Sequence, residues 1–125
     1  MKKMISIVSV LAFGMAPHTT YADYAFGTPT HLGPTVNSAS AEWGPSISAD
    51  GLELYFGSWR SGGFGEEDIY VTTRATTRDP WGEAVNLGPT VNSSSWEQIP
   101  SISADGLSLF FSSDRPGGVG PESLW

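Results

Sequence analysis

Residues 32–70 of this chain reappear at 87–125, at a constant spacing of 55 residues and without a gap, and 25 of the 39 aligned pairs are identical. Leu32-Gly33-Pro34-Thr35-Val36-Asn37-Ser38 returns as Leu87-Gly88-Pro89-Thr90-Val91-Asn92-Ser93. Pro45-Ser46-Ile47-Ser48-Ala49-Asp50-Gly51-Leu52 returns as Pro100-Ser101-Ile102-Ser103-Ala104-Asp105-Gly106-Leu107. A repeat of this length is one supersecondary unit, and it needs a neighbour to cover its apolar faces. The chain is therefore expected to be a tandem array. Residues 32–86 form one full repeat and residues 87–125 a second, shorter one.

Each repeat divides into short strands. Gly44 to Ser48, copied at Ile99 to Ser103, is the first, and Pro45 at its start places it on a sheet edge because proline donates no ladder hydrogen bond. Ala49-Asp50-Gly51 and its copy ending Asp105-Gly106 are hairpin signals, since glycine takes positive φ without steric cost. The second strand spans Leu52 to Ser58, with its copy at Leu107 to Ser113. Leu52, Leu54 and Phe56 share one face by the period of two and are unchanged in the copy, whereas the other face drifts from Glu53, Tyr55 and Gly57 to Ser108, Phe110 and Ser112. The third strand is expected over Asp68 to Thr73 and the fourth over Trp81 to Asn86. Phe26 to Gly33 lines up with Trp81 to Gly88, so residues 23–31 are expected to be a lone outer strand of a preceding unit. Trp125 aligns with Tyr70, inside the third strand, which points to a fragment of a longer array.

The N-terminus is expected to be an export signal over residues 1–22. Lys2 and Lys3 precede an apolar run from Met4 to Ala16, and Thr20-Tyr21-Ala22 is an acceptable cleavage site. The run is shorter than the roughly 20 residues a bilayer span requires. A buried strand or an uncleaved anchor is the alternative. Residues 23–125 carry four arginines and thirteen carboxylates, hence a net charge of −9. Such a surface repels phosphate backbones, so nucleic acid is not an expected partner. Cysteine is absent, which removes disulfides and thiolate metal sites from consideration.

Ser-Ile-Ser-Ala-Asp-Gly-Leu-x-Leu-(Tyr/Phe)-Phe-x-Ser-x-Arg, then Gly-Gly-x-Gly and Asp68-Ile69-Tyr70-Val71, resembles the WD-repeat-like β-propeller repeat of TolB-type proteins. The resemblance covers residues 24–125. It implies an all-β chain of four-stranded antiparallel blades, exported and serving mainly as a binding scaffold for a protein or glycan. A six-bladed ring at about 55 residues per blade needs on the order of 330 residues. About two blades are present, so an incomplete propeller with self-association through open blade edges is expected. The alternative function is a propeller carbohydrate hydrolase or lyase whose catalytic residues lie on other blades.

No residue set predicts a reaction or a cofactor. Arg60 and Arg115 occupy the Ser-x-Arg position, and Arg60 is expected to clamp Asp68 across strands within its unit. In the copy Asp68 becomes Ser123, which leaves Arg115 to Glu122, a carbonyl or water. Glu66, Glu67 and Asp68 form the densest acidic cluster and are expected to be solvated loop charge plus that one clamp, with calcium binding as the alternative. Gly62-Gly63-Phe64-Gly65 is expected to be a turn and not a phosphate cradle, because neither a helix nor a lysine accompanies it. His31, the only histidine after residue 22, cannot build a triad or an imidazole metal site. Among the five tryptophans, Trp81 and Trp125 align with aromatic residues and suggest packing. Trp59 and Trp43 become Asp114 and Gln98 in the copy, which makes them the candidates for ligand contact.

Overall fold

A computed structural model of the chain describes residues 27–125. The expected export signal and residues 23–26 of the expected lone strand lie outside them. Residues 27–31 form no strand.

All regular structure among the described residues is β. Strands β1 (Glu42–Ile47), β2 (Glu53–Ser58), β3 (Asp68–Thr73) and β4 (Val85–Asn86) form one antiparallel sheet in that order. Strands β5 (Glu97–Ile102), β6 (Leu109–Ser113) and β7 (Ser123–Leu124) form a second. The repeat in sequence is thus a repeat in structure. β1 is an edge strand of its sheet, as Pro45 requires. The fourth strand is shorter than expected. Gly82 N–H donates to Thr73 O (2.9 Å) and Ala84 N–H to Thr35 O (3.3 Å), so the segment before Val85 bonds to two different partners.

The hairpins follow from side-chain chemistry. Asp50 Oδ1 accepts from Ser48 Oγ (2.6 Å) and Leu52 N–H (3.0 Å), while Gly51 takes φ of 73°. Asp105 accepts from Ser103 Oγ and Leu107 N–H, and Gly106 takes φ of 72°. These Asx-type bonds satisfy turn amides locally, and glycine supplies the left-handed residue.

The main core lies on one face of the first sheet. Leu54 and Phe56 of β2, Tyr70 of β3 and Trp81 are buried there with Val36 from the preceding linker. Phe56 and Tyr70 are directly opposite in register, with stacked rings 6.3 Å apart. Arg60 covers this pair, its guanidinium carbon 4.8 Å from the Tyr70 centroid and 5.2 Å from that of Phe56. In the second unit Phe111 is buried, but Leu107 is exposed and does not join β6.

Asn92 fastens the second unit to the first. Its Oδ1 accepts from Ile69 N–H (2.8 Å) and its Nδ2 donates to Ile69 O (2.9 Å). An amide side chain here occupies both polar groups of one β3 residue, as a neighbouring strand would. Glu97 N–H donates to Glu67 O (2.9 Å), Ile102 N–H to Ser46 Oγ (3.1 Å), and Trp96 Nε1 to Glu66 Oε2 (2.8 Å). Gly65 lets the two units close up, because a Cβ there would lie 2.2 Å from Ser95 O.

Candidate binding site

The two arginines of the Ser-x-Arg position are paired, but not as expected. Arg60 Nη2 lies 3.2 Å from Glu42 Oε1 and donates to Val36 O (2.7 Å). Arg115 Nη2 lies 2.9 Å from Glu97 Oε1 and donates to Val91 O. Each bridges the first strand of its unit to the linker before it. The clamp from Arg60 to Asp68 is not formed. Asp68 instead accepts from the amides of Phe64 and Gly65 and from Asn86 Nδ2 (2.8 Å), holding the glycine loop against β4. Gly63 makes room for it, since a Cβ there would lie 1.9 Å from Asp68 Oδ2. One signal pointed to the true partner: Glu42 and Glu97 are identical across the repeat, as the arginines are, whereas Asp68 is not.

The acidic cluster also departs from solvated loop charge. Glu67 and Asp68 are each 1% exposed. The three neighbours diverge: Glu66 bonds Trp96, Glu67 bonds Trp59, and Asp68 bonds the loop. No group of three potential metal-ligating carboxylates or histidines gathers among the described residues.

Trp43 and Trp59, far apart in sequence, come together. β1 carries Trp43, Trp59 follows β2, and pairing of Trp43 with Gly57 in the ladder brings the two ends together. The indoles meet edge to face, with centroids 5.6 Å apart and planes at 84°. Both stay about half exposed, at 46% and 48%. They wall a cleft of about 520 Å³ between the two units, completed by Gly44, Glu67, Gln98 and Ile99. This volume falls within the range of small-molecule sites.

Glu67 lies in the wall of this cleft. Its Oε2 accepts from Trp59 Nε1 (2.9 Å), and its Oε1 is buried without a hydrogen-bond partner. Gly57 accommodates the carboxylate, because a Cβ there would lie 2.4 Å from Oε1. Burial pushes the Glu67 carboxyl up from its ordinary value. The Trp59 indole N–H, with Trp43 and Gln98 nearby, pulls the other way without overcoming it.

The cleft also sits over two backbone irregularities. Pairing of β1 with β2 shifts between Trp43 and Ser46, and that of β5 with β6 between Gln98 and Ser101. Gly44 and Ile99, inside these bulges, have φ of 57° and 50°. Bulges re-aim side chains and recur beside functional sites. Here they set Trp43 and its repeat counterpart Gln98 on the same cleft. Sequence reasoning singled out Trp43 and Trp59 as ligand contacts, placed Glu67 in a solvated acidic cluster, and did not propose Gln98 or Ile99. Glu67 does recur as Glu122, but the copy replaces Trp59 and Gly57 with Asp114 and Ser112 and leaves Glu122 exposed.

Neither the scan of protein-family models nor the search of curated proteins finds a match to this chain.

Proposed function

We propose that the two sheets are blades of an exported, TolB-like β-propeller scaffold, and that the chain acts as a non-catalytic binding module. The observation that carries this reading is the half-exposed Trp43–Trp59 corner between two repeated antiparallel sheets. Exposed aromatic walls around a preformed cleft with few polar groups suit recognition. The antiparallel strand order, the side-by-side placement of the two units and the amide lock at Asn92 support the blade reading. The ordered basic start, apolar run and cleavage site at residues 2–22 support export.

The test is a binding screen of the full chain, with neutral oligosaccharides and small organic ions as probes, followed by tryptophan fluorescence. Binding is expected for the wild type and lost in Trp43→Ala with the near-ultraviolet circular dichroism of the remaining aromatics retained. A probe bound equally by Trp43→Ala and Trp59→Ala would place recognition elsewhere.

A further inference from the structure

We propose that the Trp43–Trp59 cleft binds a quaternary or fully methylated organic ammonium ion, held in the corner that the two touching indoles form and near the Glu67 carboxylate. This rests on the binding-module reading above and names the ligand class for the same site.

Three observations converge on a cation that brings no N–H donors. First, the two indoles stand at 84°, so they form a corner and not a flat platform. The corner leaves about half of each indole open, at 46% and 48%, and a compact, roughly spherical cation can meet that surface. A sugar ring stacks on one broad face and needs several polar partners around its rim. Gln98 is the only side-chain amide lining the cleft, and Ile99 beside it is apolar and 63% exposed.

Second, a carboxylate stands at the cleft with one oxygen unpartnered. Glu67 is 1% exposed, and its Oε1 has no hydrogen-bond partner. Trp59 Nε1 occupies Oε2, and Oε1 lies against Gly57, where the Trp43 and Gln98 side chains approach the carboxyl without reaching hydrogen-bond geometry at that oxygen. A primary ammonium would need acceptors for its N–H groups, and the carboxylate is not open to supply them. A methylated ammonium needs none and can still benefit from the negative charge of a carboxylate in the cleft wall. Burial already disfavours ionised Glu67, so a nearby cation is the ligand whose arrival relieves that penalty.

Third, the surrounding field has the right sign. Residues 23–125 carry four arginines and thirteen carboxylates. None of the arginines lines the cleft. An acidic surface with a recessed apolar cleft concentrates cations at its mouth.

The experiment titrates the full chain with choline and, separately, with 3,3-dimethylbutan-1-ol, which has the same shape without the charge. Binding is followed by tryptophan fluorescence and calorimetry. Choline is expected to bind about tenfold more tightly than the neutral alcohol, in line with the worth of a desolvated cation–π contact. Trp43→Ala is expected to abolish choline binding, and Glu67→Gln to weaken it several-fold, well beyond any change in the weak affinity for the alcohol. If Glu67→Gln does not fold, Trp59→Phe keeps the test alive. It retains a π-face but loses the N–H that holds the carboxylate, and choline affinity should fall. Equal affinity for choline and the alcohol, or no binding of choline, overturns the proposal. Neutral oligosaccharide binding lost in Trp43→Ala would overturn it too, while leaving the binding-module reading intact.

Discussion

Gly44 and Ile99 occupy the same position of the repeat, share a left-handed backbone, and face each other across the two sheets. Their φ values are 57° and 50°, and a Cβ on Gly44 would lie 2.9 Å from Ile99 Cα. Two bulges therefore meet beneath the candidate cleft, one built with the residue suited to it and the other with a β-branched residue that is not.

Ile99 should be replaceable with a gain in stability. A β-branched residue at positive φ is strained, and its side chain here is largely exposed, so little packing is lost on removing it. Ile99→Gly is expected to stabilise the fold by about 1 kcal/mol despite the extra entropy of glycine in the unfolded chain. Gly44→Ala should destabilise by about 2 kcal/mol, because it adds strain and forces the sheets apart. Urea denaturation of the three proteins decides this, and the same sign for both variants would contradict it.

The two arginine pairs should differ in weight. Glu97 is fully buried and accepts from Ser93 N–H, Ser93 Oγ, Ser113 Oγ and Arg115. Glu42 makes the equivalent bonds to Ser38, Ser58 and Arg60 but keeps 11% of its side-chain surface. Glu97→Ala leaves the buried Ser113 hydroxyl and the part-buried Ser93 and Arg115 donors without their acceptor and should cost about 3 kcal/mol. Glu42→Ala should cost about half that, since water can replace part of what is lost. Denaturant midpoints of the two variants provide the comparison.

Glu67 and Glu42 should give stability profiles of opposite slope in pH. The folded-state pKa of Glu67 is raised by burial above its ordinary 4.5, so its favourable contribution is complete below that value and is lost as pH rises through the raised one. Glu67→Gln should therefore compare better with the wild type at pH 7 than at pH 4. For Glu42, burial acts upward, but hydrogen bonds from Ser38 and Ser58 and the Arg60 charge prevail and hold it below 4.5. Its contribution is present above 4.5 and disappears as pH falls through the lowered value, so the deficit of Glu42→Gln should shrink on acidification. Asp50 and Asp105 add to the acid-side loss, because the hydrogen bonds from Ser48 and Ser103 and from the following turn amides lower them. Melting temperature recorded from pH 3 to 8 for the wild type and both glutamine variants checks each sign.

The sequence by itself determined the repeat, its phase and its all-β character. Alternation placed Leu54 and Phe56 on the core face, Asp-Gly pairs located both hairpins, and Pro45 located an edge strand, because each of these is a constraint on a few consecutive residues. The exchange of Trp43 and Trp59 between copies also marked them as the variable, outward pair. Only the tertiary structure decided which charges meet. Arg60 selects Glu42 over Asp68, which is nearer in sequence, because the linker carbonyl of Val36 and the β1 carboxylate converge on one side of its aromatic support, a relation among three segments. Likewise Glu67 becomes a buried carboxylate and not loop charge because a second sheet packs over it and Gly57 leaves it space. Burial and pairing are properties of segments brought together across the fold, and the local pattern of any one of them carries no record of its neighbours.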